Sequence, residues 1–164
     1  EGETLVVLAQ GRDPGNVGTI IRTADAFGAC GVIAVAGTVD ATSPKVVRAS
    51  AGSVFHIPVC VVSSFEEAHA LIHRRSAALL GTSGGAGSLD LSQMLAQGVS
   101  GCSRLSQSHA WVFGNEAKGL SGAEMRLCDA LVSIPMTGDA ESLNVASAAA
   151  TCLFASQTVR GLNS

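Results

Sequence analysis

Thr4-Leu-Val-Val-Leu-Ala9 is an unbroken apolar, β-branched run that ends at Gln10-Gly11. A strand with no polar alternation is buried on both faces, and such strands belong to parallel sheets. The next segment places Val17, Ile20, Ile21, Ala24 and Phe27 at helical spacing, opened by Pro14-Gly15-Asn16 and closed by Gly28. Gly31-Val-Ile-Ala-Val35 is then a second strand. Strand, helix, strand within about thirty residues is a βαβ unit, and it commits the chain to an α/β fold with a right-handed crossover.

The same alternation continues, less sharply. Pro44 to Ala51 reads as a short helix, and Ile57-Pro-Val-Cys-Val-Val62 as a strand with Pro58 near its start. Phe65 to Arg75 is amphipathic, with Glu66 and Glu67 early and Arg74 and Arg75 late, as the helix dipole prefers. Ala77 to Leu80 is a strand broken by the Gly-rich Gly81–Ser88, and Gln97 to His109 is expected to be a mobile polar connection. Two further strands, Ala110–Phe113 and Ala130–Ile134, flank a helix around Gly122–Cys128. A last helix is expected to start near Ser142 and to bury Val145, Ala148, Ala149, Cys152, Leu153, Ser156 and Val159. With 164 residues and 47% hydrophobic content, one core suffices. The expected architecture is a parallel sheet with helices on both faces.

Charged residues make up only 14% of the chain, which favours apolar surface covered by a second copy. The net charge of −3 limits any nucleic-acid site to a local patch. Five cysteines without metal-ligand spacing read as reduced core thiols of a cytosolic protein. No apolar run is long enough to cross a bilayer. A chain that begins at Glu1 is expected to be processed or a fragment of something longer.

Three distant segments read as strand ends running into turns, the places where open α/β sheets bind ligands. They are Asp13–Arg22, Trp111–Leu120, and Ile134-Pro-Met136 followed by Glu141–Ala146. Arg22 lies opposite the apolar stripe of its helix and points away from the core. Asn16 can cap that helix or contact a ligand, and the turn at Gly15 and Gly18 offers N–H groups to a phosphate. Gly114 would let a backbone approach a ligand closely; Asn115 caps the following helix or meets that ligand. Ser142 and Asn144 stand at the mouth of the last helix as caps or substrate contacts.

Familiar alternatives do not fit. Gly81–Ser88 lacks the Gly-Lys-Ser/Thr of a Walker loop, and no G-x-G-x-x-G follows the first strand. His56, His69, His73 and His109 form no ligand set and read as surface histidines. No metal is implied.

The stretch N-V-G-T-I-I-R at 16–22, F-G-N-E-A-K-G at 113–119, and I-P-M with S-L-N-V-A-S between 134 and 147 resemble the three signature motifs of the SpoU (TrmH-type) branch of the SPOUT RNA methyltransferases. The resemblance covers essentially the whole chain. It implies a C-terminal deep trefoil knot and methyl transfer from S-adenosylmethionine to a ribose 2′-hydroxyl of ribosomal or transfer RNA; the N-terminal RNA-binding domain expected outside this chain favours rRNA over tRNA. Carried over residue by residue, it places the cofactor against Thr82, Ser83, Gly84, Phe113, Gly114, Asn115, Glu116, Ile134, Pro135, Met136, Ser142, Leu143 and Asn144. Arg22, Asn16, Glu116, Ser142 and Asn144 would form the catalytic surface, with Arg22 supplied across a homodimer interface. Arg12, Arg22, Lys45 and Arg48 would form the rim that meets RNA, while most RNA affinity would come from an N-terminal domain outside this chain. A non-catalytic RNA-binding member and a base-directed methyltransferase of the same fold are the competing readings.

Overall fold

The computed structural model describes residues 2–162. Seven parallel strands form one sheet in the order β3-β2-β1-β6-β4-β7-β5. They are β1 (Thr4–Leu8), β2 (Gly31–Val35), β3 (Val59–Val62), β4 (Ala78–Thr82), β5 (Leu89–Asp90), β6 (His109–Phe113) and β7 (Ala130–Ser133). Six helices connect them: α1 (Pro14–Ala26), α2 (Pro44–Ala49), α3 (Phe65–Arg74), α4 (Leu91–Val99), α5 (Gly122–Leu127) and α6 (Val145–Leu162). The β6 strand sits between β1 and β4, in register Leu8↔Phe113 on one side and Gly81↔Val112 on the other.

Alternation along each strand divides the core. Val6, Leu8, Val32, Leu80, Trp111 and Phe113 face α1, α2, α4 and α6. Leu5, Val7, Ile33, Leu79, Ala110 and Val112 face α3 and α5. Both faces of the central strands are covered, which explains why the β1 sequence is apolar without alternation.

Several expectations are corrected. The Gln97–His109 connection is not a mobile polar stretch: α4 runs to Val99, and a 3-10 turn at Arg104–Ser106 buries Leu105 in the main core. Asp90 caps α4 by accepting from the Ser92 and Gln93 N–H groups. His109 is fully buried rather than on the surface. Its Nδ1 bonds the Gln107 carbonyl at 2.8 Å, so Nδ1 carries the proton and Nε2 accepts from the Ser156 hydroxyl, also at 2.8 Å. Trp111 Nε1–H donates to the same hydroxyl oxygen. Burial holds the His109 imidazole at a pKa of about 4.

The cysteines also differ from expectation. Only Cys152 is fully buried and Cys128 is half-buried, while Cys30, Cys60 and Cys102 are exposed. Burial raises both inner thiols, Cys128 to about 12. All five are free.

Candidate functional site

All strands run the same way, so the ends of β4, β6 and β7 and the entrance of α1 lie along one edge of the sheet. Three segments from that edge and the loop before α6 enclose a cavity of about 480 Å³. This falls in the size range of small-molecule sites. Its walls include Thr82, Ser83 and Gly84 after β4, Gly114–Leu120 after β6, Ile134 and Met136 after β7, and Glu141–Leu143 before α6. Thr82 is fixed by its hydroxyl on the Val112 carbonyl, and the Ser83 N–H bonds the Val132 carbonyl.

The turn after β6 is closed on itself. Asn115 and Gly119 exchange backbone hydrogen bonds at 3.0 and 2.8 Å, and Asn115 Oδ1 accepts the N–H groups of Ala117 and Lys118. Asn115 therefore caps this turn and not α5, which Ser121 and Glu124 close with a reciprocal capping box. The same turn already requires a glycine at 114, on the cavity wall. A Cβ there would lie 2.3 Å from the Gly119 carbonyl carbon.

Glu116 reaches out of this turn to the entrance of α1. Its Oε1 accepts the Arg12 N–H at 3.1 Å and the Asp13 N–H at 3.0 Å. Asp13 in turn caps α1, accepting the Asn16 N–H at 2.7 Å. The Asn16 side chain is thus released from capping, and it accepts a hydrogen bond of 3.1 Å from Asn144 Nδ2. Asn144 Oδ1 takes the N–H groups of Ala146 and Ser147, so Asn144 caps α6 and Ser142 does not. The helix begins at Val145, and Ala148 is only half-buried because it faces the cavity.

Of the residues singled out from the sequence, Thr82, Ser83, Gly84, Gly114, Asn115, Glu116, Ile134, Met136, Ser142 and Leu143 line the cavity. Asn16 and Asn144 meet each other beside its wall. Phe113 does not line it: the side chain is in the core and its carbonyl accepts the Ala9 N–H. Pro135 is exposed. Arg22 is exposed on α1, away from the cavity walls, and makes no hydrogen bond or ion pair among the described residues. Gly18 offers no N–H to a phosphate, because it lies inside α1 with its Cα against α2; a Cβ there would lie 2.5 Å from the Ala49 Cβ. That close contact places Lys45 and Arg48 beside Asp13, Pro14 and Gly15 along a shallow groove.

Lys118, Leu120, Met125, Val132 and Glu141 also line the cavity. Glu141 stands next to Ser142 in the sequence and was readable there; Met125 and Val132 arrive only through the packing of α5 and β7. The walls combine apolar surface from Leu120, Ile134, Met136 and Leu143 with two carboxylates, Glu116 and Glu141, and one cation, Lys118. Such a slot suits an elongated, partly apolar molecule that carries positive charge. Among the described residues no cluster of His, Cys, Asp and Glu could hold a metal ion, and no helix is long and apolar enough to cross a membrane.

Known proteins share this architecture. The 23S rRNA (uridine(2479)-2′-O)-methyltransferase of Streptomyces viridochromogenes is 40% identical over 91% of this chain and 50% of its own length. The Bacillus subtilis 23S rRNA (guanosine(2553)-2′-O)-methyltransferase RlmP is 38% identical over 87% of this chain and 53% of its own. The crystal structure of the SpoU methyltransferase AviRb from Streptomyces viridochromogenes superposes with a TM-score of 0.84 at 37% identity, covering 96% of this chain and 60% of that one. An AdoMet-bound rRNA methyltransferase from Sinorhizobium meliloti gives a TM-score of 0.80 at 40% identity, covering 95% and 56%. The chain spans about half the length of the curated relatives it matches. With the SpoU rRNA Methylase family model matching residues 3–154 on top of the shared sheet and the convergence of the three segments, this chain belongs to the SpoU rRNA methylase family.

Proposed function

We propose that this chain is the catalytic domain of an S-adenosylmethionine-dependent methyltransferase that modifies a ribose 2′-hydroxyl of RNA, ribosomal rather than transfer RNA. One observation carries the reading. Segments about a hundred residues apart in sequence are joined at the cavity wall, Glu116 to Arg12 and Asp13, and Asn144 to Asn16. The names of the relatives favour rRNA and a 2′-O product.

The cavity fits the cofactor on its own chemistry. Leu120, Ile134, Met136 and Leu143 would flank a flat heteroaromatic group, while Glu116 and Glu141 would favour a sulfonium over a neutral sulfide. When bound, S-adenosylmethionine supplies an electrophilic methyl group with its own leaving group, so no metal is called for. The protein's task is to bring the 2′-oxygen into line with the methyl–sulfur bond and to stabilise its developing charge. Thr82–Gly84, Asn115, Glu116, Ile134, Met136 and Ser142–Asn144 would hold the cofactor side. A guanidinium stays protonated in proteins, so Arg22 would act as a cation that orients a phosphate and stabilises the alkoxide.

Arg22 is outside the cavity of its own chain, and its surroundings favour a second copy that brings it to the other chain's site. The exposed side of α6 carries no charge apart from Arg160, and Phe154 there is 55% exposed, packed edge-on to Phe27, which caps the C-terminal end of α1. A charge-poor helix surface on which Phe154 and Leu162 stand exposed among Ser147, Thr151 and Gln157 favours burial in a homodimer. Arg12, Lys45 and Arg48 flank the α1 entrance as the rim that would meet RNA. With a net charge of −3, most RNA affinity is assigned to regions beyond these residues. A trefoil-knotted C-terminal part and a cytoplasmic location belong to the same reading, and the family membership supports both.

The test is nucleoside mass spectrometry of rRNA incubated with the protein and methyl-labelled cofactor. Label in a 2′-O-methylnucleoside supports the proposal. Label in a base, or none with folded protein, contradicts it.

A further inference from the structure

The hydrogen bonds around Asn16 fix which end of its side-chain amide is free. Asn144 has one oxygen and one nitrogen to offer, and its oxygen is taken by two backbone donors, Ala146 N–H at 2.8 Å and Ser147 N–H at 3.3 Å. Its nitrogen can then only donate, so the atom of Asn16 facing it at 3.1 Å must be Oδ1. Asn16 does not cap its own helix, because Asp13 Oδ1 already holds the Asn16 N–H at 2.7 Å. Asp13 is itself held through its backbone N–H by Glu116. What remains is Asn16 Nδ2, a half-buried amide with two N–H donors and no partner among the described residues.

We infer that Asn16 Nδ2 is a hydrogen-bond donor to an oxygen of the RNA at the acceptor nucleotide, aimed by Asn144 and held in place by Asp13 and Glu116. The inference rests on the proposed RNA substrate and adds the direction of the hydrogen bond. A donor there cannot remove a proton, so Asn16 is excluded as a base. It can hold a phosphate or ribose oxygen in a site whose nearest fixed groups, Asp13 and Glu116, are carboxylates that would repel it. The aim is therefore set by geometry, against the local charge.

The test compares binding of a fluorescein-labelled single-stranded oligoribonucleotide, read by anisotropy, to the wild type, Asn16→Ala and Asn16→Asp at equal salt. Circular dichroism checks that each variant is folded. A lost donor predicts about tenfold weaker binding for Asn16→Ala at any pH. Asn16→Asp should bind worse than Asn16→Ala at about pH 7, where it is an anion. At about pH 4.5, where a carboxyl beside Asp13 and Glu116 is partly protonated and donates again, it should bind better than Asn16→Ala. Simple relief of repulsion would only bring it level with Asn16→Ala. Asn16→Ala within twofold of the wild type, or Asn16→Asp no better than Asn16→Ala in acid, overturns the inference. Absence of any 2′-O-methyl product, with these binding differences intact, sinks the methyltransferase reading alone. Product formed equally by all three proteins sinks the inference alone.

Discussion

The Glu116 carboxylate lies 3.0 Å from the Asp13 backbone nitrogen, and the two residues are 103 positions apart. With Arg12 N–H on the same oxygen, this contact joins the turn after β6 to the entrance of α1. It makes one wall of the cavity depend on the helix that carries Asn16 and Arg22.

Removing that carboxylate should loosen both sides. Glu116→Ala is expected to speed amide exchange at residues 12–16 and to weaken S-adenosylhomocysteine by about tenfold in calorimetry. Glu116→Gln keeps one acceptor oxygen and should fall between the two. Unchanged exchange at Arg12 and Asp13 would show that the contact does not order the α1 entrance.

Arg22→Lys keeps the charge and loses the planar fork. If the guanidinium aligns a phosphate and stabilises the alkoxide, turnover should fall about 100-fold with cofactor affinity unchanged. Turnover near that of the wild type would show that a point charge is enough.

Acid should destabilise the fold through His109. Its ordinary pKa of 6.5 is pushed down to about 4, first by burial and then, in part, by the charge of Arg160. Between those values the unfolded chain holds the extra proton and the folded chain does not, so stability rises with pH. The contribution is complete above about pH 6.5 and is lost as the pH falls through about 4, for a total of about 3 kcal/mol. Urea melts across this range should show the slope, and His109→Gln should flatten it. A wild-type slope equal to that of His109→Gln would remove His109 as its source.

Gly18→Ala should cost about 1–3 kcal/mol, because the added methyl would lie 2.5 Å from the Ala49 Cβ and 2.7 Å from the Val46 carbonyl oxygen. Since the strain falls on α2, RNA contact through Lys45 and Arg48 should weaken with it. Denaturant melts and anisotropy at matched salt read the two effects. A neutral substitution would mean that α2 shifts freely.

Local pattern carried most of the fold. The apolar run of β1, the stripe of α1 and the strand at Gly31–Val35 were all legible because each writes its period into adjacent residues. The connection before β6 was not, because α4 is only nine residues long and buries just Leu91, Met94 and Gly98, and β5 is two residues long. His109 stands in a polar run, and its burial depends on Ser156, 47 positions later. The site divides the same way. Its residue types were visible as turns, and Asn144 was readable as a cap of α6 because that contact is local, but the pairings of Glu116 with Asp13 and of Asn144 with Asn16 are tertiary facts that no local spacing encodes.

The central claim is that the three joined segments build a site for methyl transfer to a ribose hydroxyl. Nucleoside mass spectrometry of rRNA, after incubation with the protein and methyl-labelled S-adenosylmethionine, tests it most directly. The account predicts label in a single 2′-O-methylnucleoside, absent with Arg22→Ala. Label on a base, or an undiminished 2′-O-methyl product from Arg22→Ala, would contradict it.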